Sequence, residues 1–136
     1  MKDFLILPST SEHKLRIYGR DWAALMANAL KAMFASIEPK LTPDQTIHTH
    51  QFDVKSLDRE SLLINFLSEA LYLSSVHHEA YYEVYFTSLS DKRAKGIING
   101  YKIIGFAACE IKAVTHHDVH IITKDGILQT DIIFDV

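Results

Sequence analysis

Between residues 20 and 37 apolar side chains recur at Trp22, Leu25, Met26, Ala29, Leu30, Met33, Phe34 and Ile37. That spacing of three and four gives a helix one buried stripe. Asp21 stands where a carboxylate accepts from the free amides of a first helical turn. A second stripe, Leu62, Leu63, Phe66, Leu67, Ala70 and Leu71, follows Asp58, which can cap it, with Leu57 and Leu62 at the positions of a hydrophobic staple. Elsewhere the period is two. Leu15 and Ile17 alternate with Glu12, Lys14, Arg16 and Tyr18, as in a strand with one wet face. The pattern predicts further strands over residues 4–7, 47–54, 80–89 and 101–109. A closing hairpin is predicted over 119–123 and 128–134, turning at Lys124-Asp125-Gly126. Residues 38–46, with Pro39 and Pro43, read as an extended loop. The predicted order β-β-α-β-α-β-β-β-β describes an α+β fold: two amphipathic helices packed on a mostly antiparallel sheet, layered as a single domain over residues 1–136.

Composition supports one core and narrows the partners. A chain of 136 residues, 48% hydrophobic, has the apolar material for a single domain. Fourteen Lys and Arg against seventeen Asp and Glu give −3, which disfavours strong direct nucleic-acid binding. The lone Cys109 cannot form an internal disulfide, and no apolar run approaches the ~20 residues that cross a bilayer. The few apolar residues before Pro8 are too short for a signal-peptide core. The expectation is a reduced, cytoplasmic protein that does not enter a membrane.

The usual chemical signatures are missing: there is no glycine-rich phosphate loop, Gly-x-Ser-x-Gly elbow or Cys-x-x-Cys pair. Cys109, near His116 and His117, admits a thiol nucleophile with an imidazole base, although a small residue ending a strand is the simpler reading. His48 and His50, two apart on a strand, share a face as two metal ligands would. Without a Cys or carboxylate at ligand spacing, exposed or hydrogen-bonded histidines are expected instead. His77-His78 and His116-His117 are adjacent pairs whose members point apart in an extended chain. On the last strand Gln129, Asp131, Ile133 and Asp135 share one face and Leu128, Thr130, Ile132 and Phe134 the other. Asp135 therefore lies beside the carboxylate of Val136, and these repelling oxygens call for a cation or for solvent. With Glu12 they would make an all-oxygen set suited to Ca²⁺ or Mg²⁺; a solvated, frayed terminus is the alternative.

The block Glu110-Ile111-Lys112-Ala113-Val114-Thr115-His116-His117 resembles the hallmark segment of the archease family. So do the run from Asp58 through Leu62-Leu63, Phe66-Leu67 and Glu69 to Leu71-Tyr72, the Arg16-x-Tyr18-Gly19 stretch, and the ending Ile133-Phe134-Asp135-Val136. The resemblance spans the chain in order. It implies an accessory protein rather than an enzyme. Archeases act on the RNA ligase that joins 3′-phosphate to 5′-hydroxyl ends in tRNA splicing and RNA repair, and they promote its GTP-dependent guanylylation and its multiple turnover. GTP is then used by the partner ligase. The family's divalent-metal site implies Glu12, Asp135 and Val136 as ligands here, with Ca²⁺ or Mg²⁺ as the ion. At the family's early His-Thr-Ala-Asp motif this chain reads Ser9-Thr10-Ser11-Glu12: Thr10 is kept, His becomes Ser, and Asp becomes Glu. The longer Glu arm suits a flexible Ca²⁺ shell better than a tight Mg²⁺ octahedron. Lys112, Thr115 and His117 of the hallmark block are implied in partner activation. The reading from another class is a metal-dependent hydrolase of a small phosphorylated substrate, using the same acids with His117 as base. A metal-independent interaction module is a third.

Overall fold

The computed structural model describes residues 2–9 and 11–136; Thr10, matched above to the family's early motif, lies outside the described residues. The elements, in chain order, are β1 (Phe4–Leu7), β2 (His13–Gly19), α1 (Trp22–Ser36), β3 (Pro39–Leu41), β4 (His48–Lys55), α2 (Arg59–His77), β5 (Glu79–Leu89), β6 (Arg93–Phe106), β7 (Ala113–Val114), β8 (Ile122–Lys124) and β9 (Ile127–Asp135). All strand pairs among the described residues are antiparallel. One sheet runs β1-β2-β9-β7, with β8 also on β9; in the other, β6 carries β3 and β4 on one side and β5 on the other.

Both helices start where an aspartate can cap them. The Asp21 carboxylate accepts from the Ala24 amide and that of Asp58 from the Ser61 amide, each at 2.8 Å. Helix α1 packs against β2 of the first sheet and β5 of the second, and α2 against β4 and β5. Their stripes and the inward faces of the sheets form one core, in which Leu15, Ile17, Leu25, Met26, Leu30, Met33, Leu62, Leu63 and Ile132 are fully buried. Phe66 of α2 lies on Phe52 and Phe86, one from each strand flanking β6, with ring centroids 5.0 and 5.9 Å away. Trp22 is pinned at both ends: its indole donates to the Ser90 carbonyl at 3.0 Å, and the Arg59 guanidinium lies over its ring.

The structure departs from the sequence pattern at several places. The loop expected over residues 38–46 contains β3, whose Pro39 is tolerated because it lies in an edge strand. Strand β6 begins at Arg93, well before the expected residue 101, because its inward face is built from Ala94, Gly96, Ile98 and Gly100, too small to register as an apolar row. It also stops at Phe106: the amides of Ala107 and Ala108 turn to the carbonyls of Glu38 and Ile37. Strand β7, two residues long, is shorter than any periodicity can reveal. Leu57 is 87% exposed while Leu62 is buried, so the expected staple does not form. The closing hairpin turns where expected, with Asp125 and Gly126 both at positive φ, 52° and 78°, as a tight primed turn requires, but its first strand is Ile122–Lys124 rather than 119–123.

Gly96 and Gly100 are there for space rather than for conformational freedom. A Cβ on Gly100 would lie 2.1 Å from the Ala80 carbonyl oxygen and 2.7 Å from the Tyr81 ring, whereas one on Gly105 would meet nothing within 4 Å. Gly100→Ala is therefore expected to lower unfolding free energy by about 2 kcal/mol or more, and Gly105→Ala to change it by less than about 0.5 kcal/mol, in urea titrations.

Candidate functional site

The acids implied by the resemblance lie near the end of the ladder that pairs β2 with β9. His13 of β2 lies opposite Phe134 of β9, and their rings pack with centroids 5.8 Å apart. Glu12 immediately precedes β2 and Asp135 ends β9, next to this terminal pair of the ladder, and both are exposed. The residue after Asp135 is Val136, which is 45% exposed. On the other flank, Ala113 of β7 pairs with Asp135, and the Lys112 amide donates to the Asp135 carbonyl at 2.7 Å. Among the described residues no group of three or more His, Cys, Asp or Glu side chains is arranged to hold a metal. The side-chain oxygens that Glu12 and Asp135 carry are hard donors.

The hallmark block is divided by its geometry. The Thr115 hydroxyl donates to the Ile133 carbonyl at 3.0 Å and its amide to the same oxygen at 3.1 Å, so Thr115 fastens the block to β9. Lys112 is exposed, and its ammonium takes part in no ion pair among the described residues. It lines a groove of about 790 Å³ between the two sheets, together with Ile111, Tyr72 and Ser75 of α2, and Ile104 and Phe106 of β6. His117 lies away from the acids: its Nε2 is 3.1 Å from Asp118, with both side chains about 70% exposed (70% and 74%). His116 lines a separate shallow pocket with Lys55, Ser56 and Asn65. Neither imidazole hydrogen-bonds Cys109, which is half-buried; burial and then the charge of Glu38 push its thiol above the ordinary value. That environment is the reverse of one that makes a thiolate nucleophile.

His48 and His50 share a face, as their spacing indicated, and what they meet is Glu79. This carboxylate is 1% exposed. It accepts from His50 Nε2 at 2.6 Å and from the Tyr81 hydroxyl at 2.8 Å; His48 Nδ1 lies at 3.3 Å and Lys102 Nζ at 3.7 Å. Burial favours its protonated form, but the hydrogen bonds from Tyr81 and His50, with the charge of the histidines, outweigh that and hold it below the ordinary glutamate value. Burial and the neighbouring Glu79 push the Tyr81 hydroxyl well above its usual range, so it remains a donor. His77 ends α2 and His78 caps it in the left-handed conformation, so the pair diverges at a helix end rather than in an extended strand. His77 stacks on His50, with centroids 4.2 Å apart. Sequence reading missed Glu79, Tyr81 and Lys102. The available signal was the inward alternation of Glu79 and Tyr81 at a strand start.

An α+β protein with two sheets around two helices, bearing an acidic chain end against a Lys-Ala-Val-Thr block and no phosphate-binding loop, is the class these features define. The family model described as "Archease protein family (MTH1598/TM1083)" matches residues 4–136. Protein archease of Methanosarcina barkeri is 31% identical over 135 residues, covering 92% of this chain and 90% of that protein. Protein archease of Methanothermobacter thermautotrophicus is 26% identical over the full length of both. The solution structure of Methanobacterium thermoautotrophicum protein 1598 superposes with a TM-score of 0.74 at 25% identity, covering all of both chains. The crystal structure of "an archease, possible chaperone" from Thermotoga maritima gives 0.67 at 17%, covering 96% of this chain and 98% of that one, a likeness of fold. The chain belongs to the archease family. No helix among the described residues is long and apolar enough to cross a membrane.

The Glu79 environment sets the sign of an acid effect. Because folding lowers its proton affinity, its contribution is full above the ordinary glutamate value, near 4.5, and is lost as pH falls through the lower folded value. Glu79→Gln is expected to cost about 1–3 kcal/mol at pH 7 and progressively less below pH 4, in urea titrations run across that range.

Proposed function

We propose that this chain is an archease-type activator of the GTP-dependent ligase that joins RNA 3′-phosphate and 5′-hydroxyl ends. It promotes ligase guanylylation and turnover in tRNA splicing or RNA repair and is not itself the catalyst. The observation that carries this reading is the hydrogen bond from the Lys112 amide to the Asp135 carbonyl, which ties the hallmark block to the end of β9. The words "possible chaperone", given to the Thermotoga maritima protein, agree with a role exercised on another protein.

In this reading Glu12, Asp135 and the terminal carboxylate of Val136 are the donors that would hold Ca²⁺ or Mg²⁺. Their all-oxygen, exposed character fits such an ion better than zinc. A bound ion there would supply positive charge toward the phosphates of GTP held by the partner. The residues of this chain have their own work. Thr115 holds the block in register on β9, which fixes where Lys112 leaves the sheet. Lys112 offers, at the groove rim, a cation with no ion pair among the described residues, suited to phosphate oxygens or to an acidic patch on the ligase. His117, exposed on its loop, is a contact residue for the partner. The chain's net charge of −3 suits a cationic, RNA-handling partner better than RNA itself.

The test is multiple-turnover joining of a 3′-phosphate RNA to a 5′-hydroxyl RNA by a cognate ligase with GTP and a substoichiometric amount of this protein. Acceleration is expected from the native chain and a loss of at least about tenfold from Asp135→Ala or from removal of Val136, with melting temperature little changed because both residues are exposed. No acceleration by the native chain, with the ligase competent for a single turnover, would overturn the reading. Undiminished acceleration by both variants would overturn the role of the acids.

A further inference from the structure

The cluster on Glu79 has no part in that activity, yet it gathers six titratable groups from every element that meets there. These are His48 and His50 from β4, His77 from the end of α2, Glu79 and Tyr81 from β5, and Lys102 from β6. The register explains how they meet. His48 and Tyr81 both lie opposite Gly100, and the Tyr81 ring takes the place a side chain there would need.

The charge balance is one carboxylate against one ammonium, with three imidazoles between. While the imidazoles are neutral the cluster sums to zero. A first proton pairs an imidazolium with Glu79 and is welcome. Further protons place like charges side by side, since the His50 and His77 rings stand 4.2 Å apart at 18°. Imidazole is the side chain suited to gain or lose a proton near neutral pH, and each proton that these rings gain takes the cluster from zero to a growing positive charge. His48 Nε2 adds a second tension, being buried without a hydrogen-bond partner.

What this repulsion would move is defined by the backbone. The Lys102 ammonium donates to the His77 carbonyl at 2.8 Å, the Ile103 amide to the His78 carbonyl at 2.9 Å, and the Ser74 hydroxyl to the Glu79 carbonyl. Ser74, His78 and Ile103 also line the groove that Lys112 borders. The turn from α2 to β5 is therefore shared by the histidine cluster and the groove wall.

We propose that His48, His50 and His77, gathered on Glu79, form a proton-sensitive latch that holds the α2–β5 turn against β6 and so sets the shape of the neighbouring groove. The latch is closed while the cluster holds at most one extra proton and loosens as more bind on acidification. It does not depend on the identity of any partner.

The experiment is an NMR titration of the full chain from pH 8 to pH 5, following imidazole and amide signals, with hydrogen exchange corrected for its intrinsic pH dependence. His50 and His77 are expected to titrate over a range broader than single independent sites. The amides of His78, Ile103 and Gly105 should shift with the same midpoint, and protection of the Ile103 amide should fall by about tenfold on acidification. His77→Gln, which removes one imidazole and keeps the helix end, should abolish the Ile103 and Gly105 responses. Independent imidazole titrations, or groove amides that stay still in the native chain, would overturn the proposal whatever the variant does. Groove responses that persist unchanged in His77→Gln and in His50→Gln would overturn it as well.

Discussion

The pairing of β2 with β9 is the constraint on which the rest of this molecule depends. It joins residues 13–19 to residues 128–134 across nearly the whole chain, and its inward side chains Leu15, Ile17, Thr130, Ile132 and Phe134 are all buried. Closing so long a loop is entropically expensive, and the apolar face of the pair is what offsets it. The bidentate Arg16–Asp131 pair on the outer face, at 2.8 and 3.0 Å, fixes register more than it adds stability, because partly exposed ion pairs contribute about 1 kcal/mol or less. Once that register is set, the face that Asp135 presents is fixed with it. A slip of one residue would turn Asp135 into the core and Phe134 into solvent.

The second sheet solves a different problem. Strand β6 carries partners on both edges, and its inward face is kept low by Gly96 and Gly100 so that aromatic rings from β4 and β5 can close over it under α2. At one end the same arrangement admits polar groups. Glu79 lies where an apolar residue would serve stability better, and it is tolerated as an ion because Tyr81 and His50 donate to it and Lys102 stands near. Buried charges satisfied this completely are uncommon in a core of this size. They cost stability when any one partner is removed, and that mutual dependence makes the cluster responsive to protons.

Much of this was legible in the sequence, for reasons that differ by element. Both helices and both aspartate caps could be read because the 3.6-residue stripe and the capping chemistry are local properties of Asp21, Asp58 and the residues just after them. The alternation along β9 was equally local, and it assigned the faces of Thr130, Ile132, Phe134 and Asp135 correctly. The start of β6, the short β7 and the edge strand β3 escaped because their definition is non-local: each exists only as a partner of another strand. Leu57 shows the opposite error, a local motif satisfied in sequence but left in solvent by the tertiary packing.

The functional residues divide along the same line. The acids near residue 135 and the Lys112 block were named from short motifs at fixed positions, and the archease resemblance supplied the roles expected of them. His48 and His50 were visible as a pair, but their partner was not, since Glu79 is 29 residues from His50 along the chain and enters from another strand. A histidine pair on an edge strand is usually solvated or metal-bound, and the choice depends on the group facing it. Here a buried carboxylate faces it across Gly100, with no third ligand arranged for a metal among the described residues. The proton is then the cation that these imidazoles are built to hold. The groove wall shared with His78 and Ile103 makes its arrival an event felt at the protein surface.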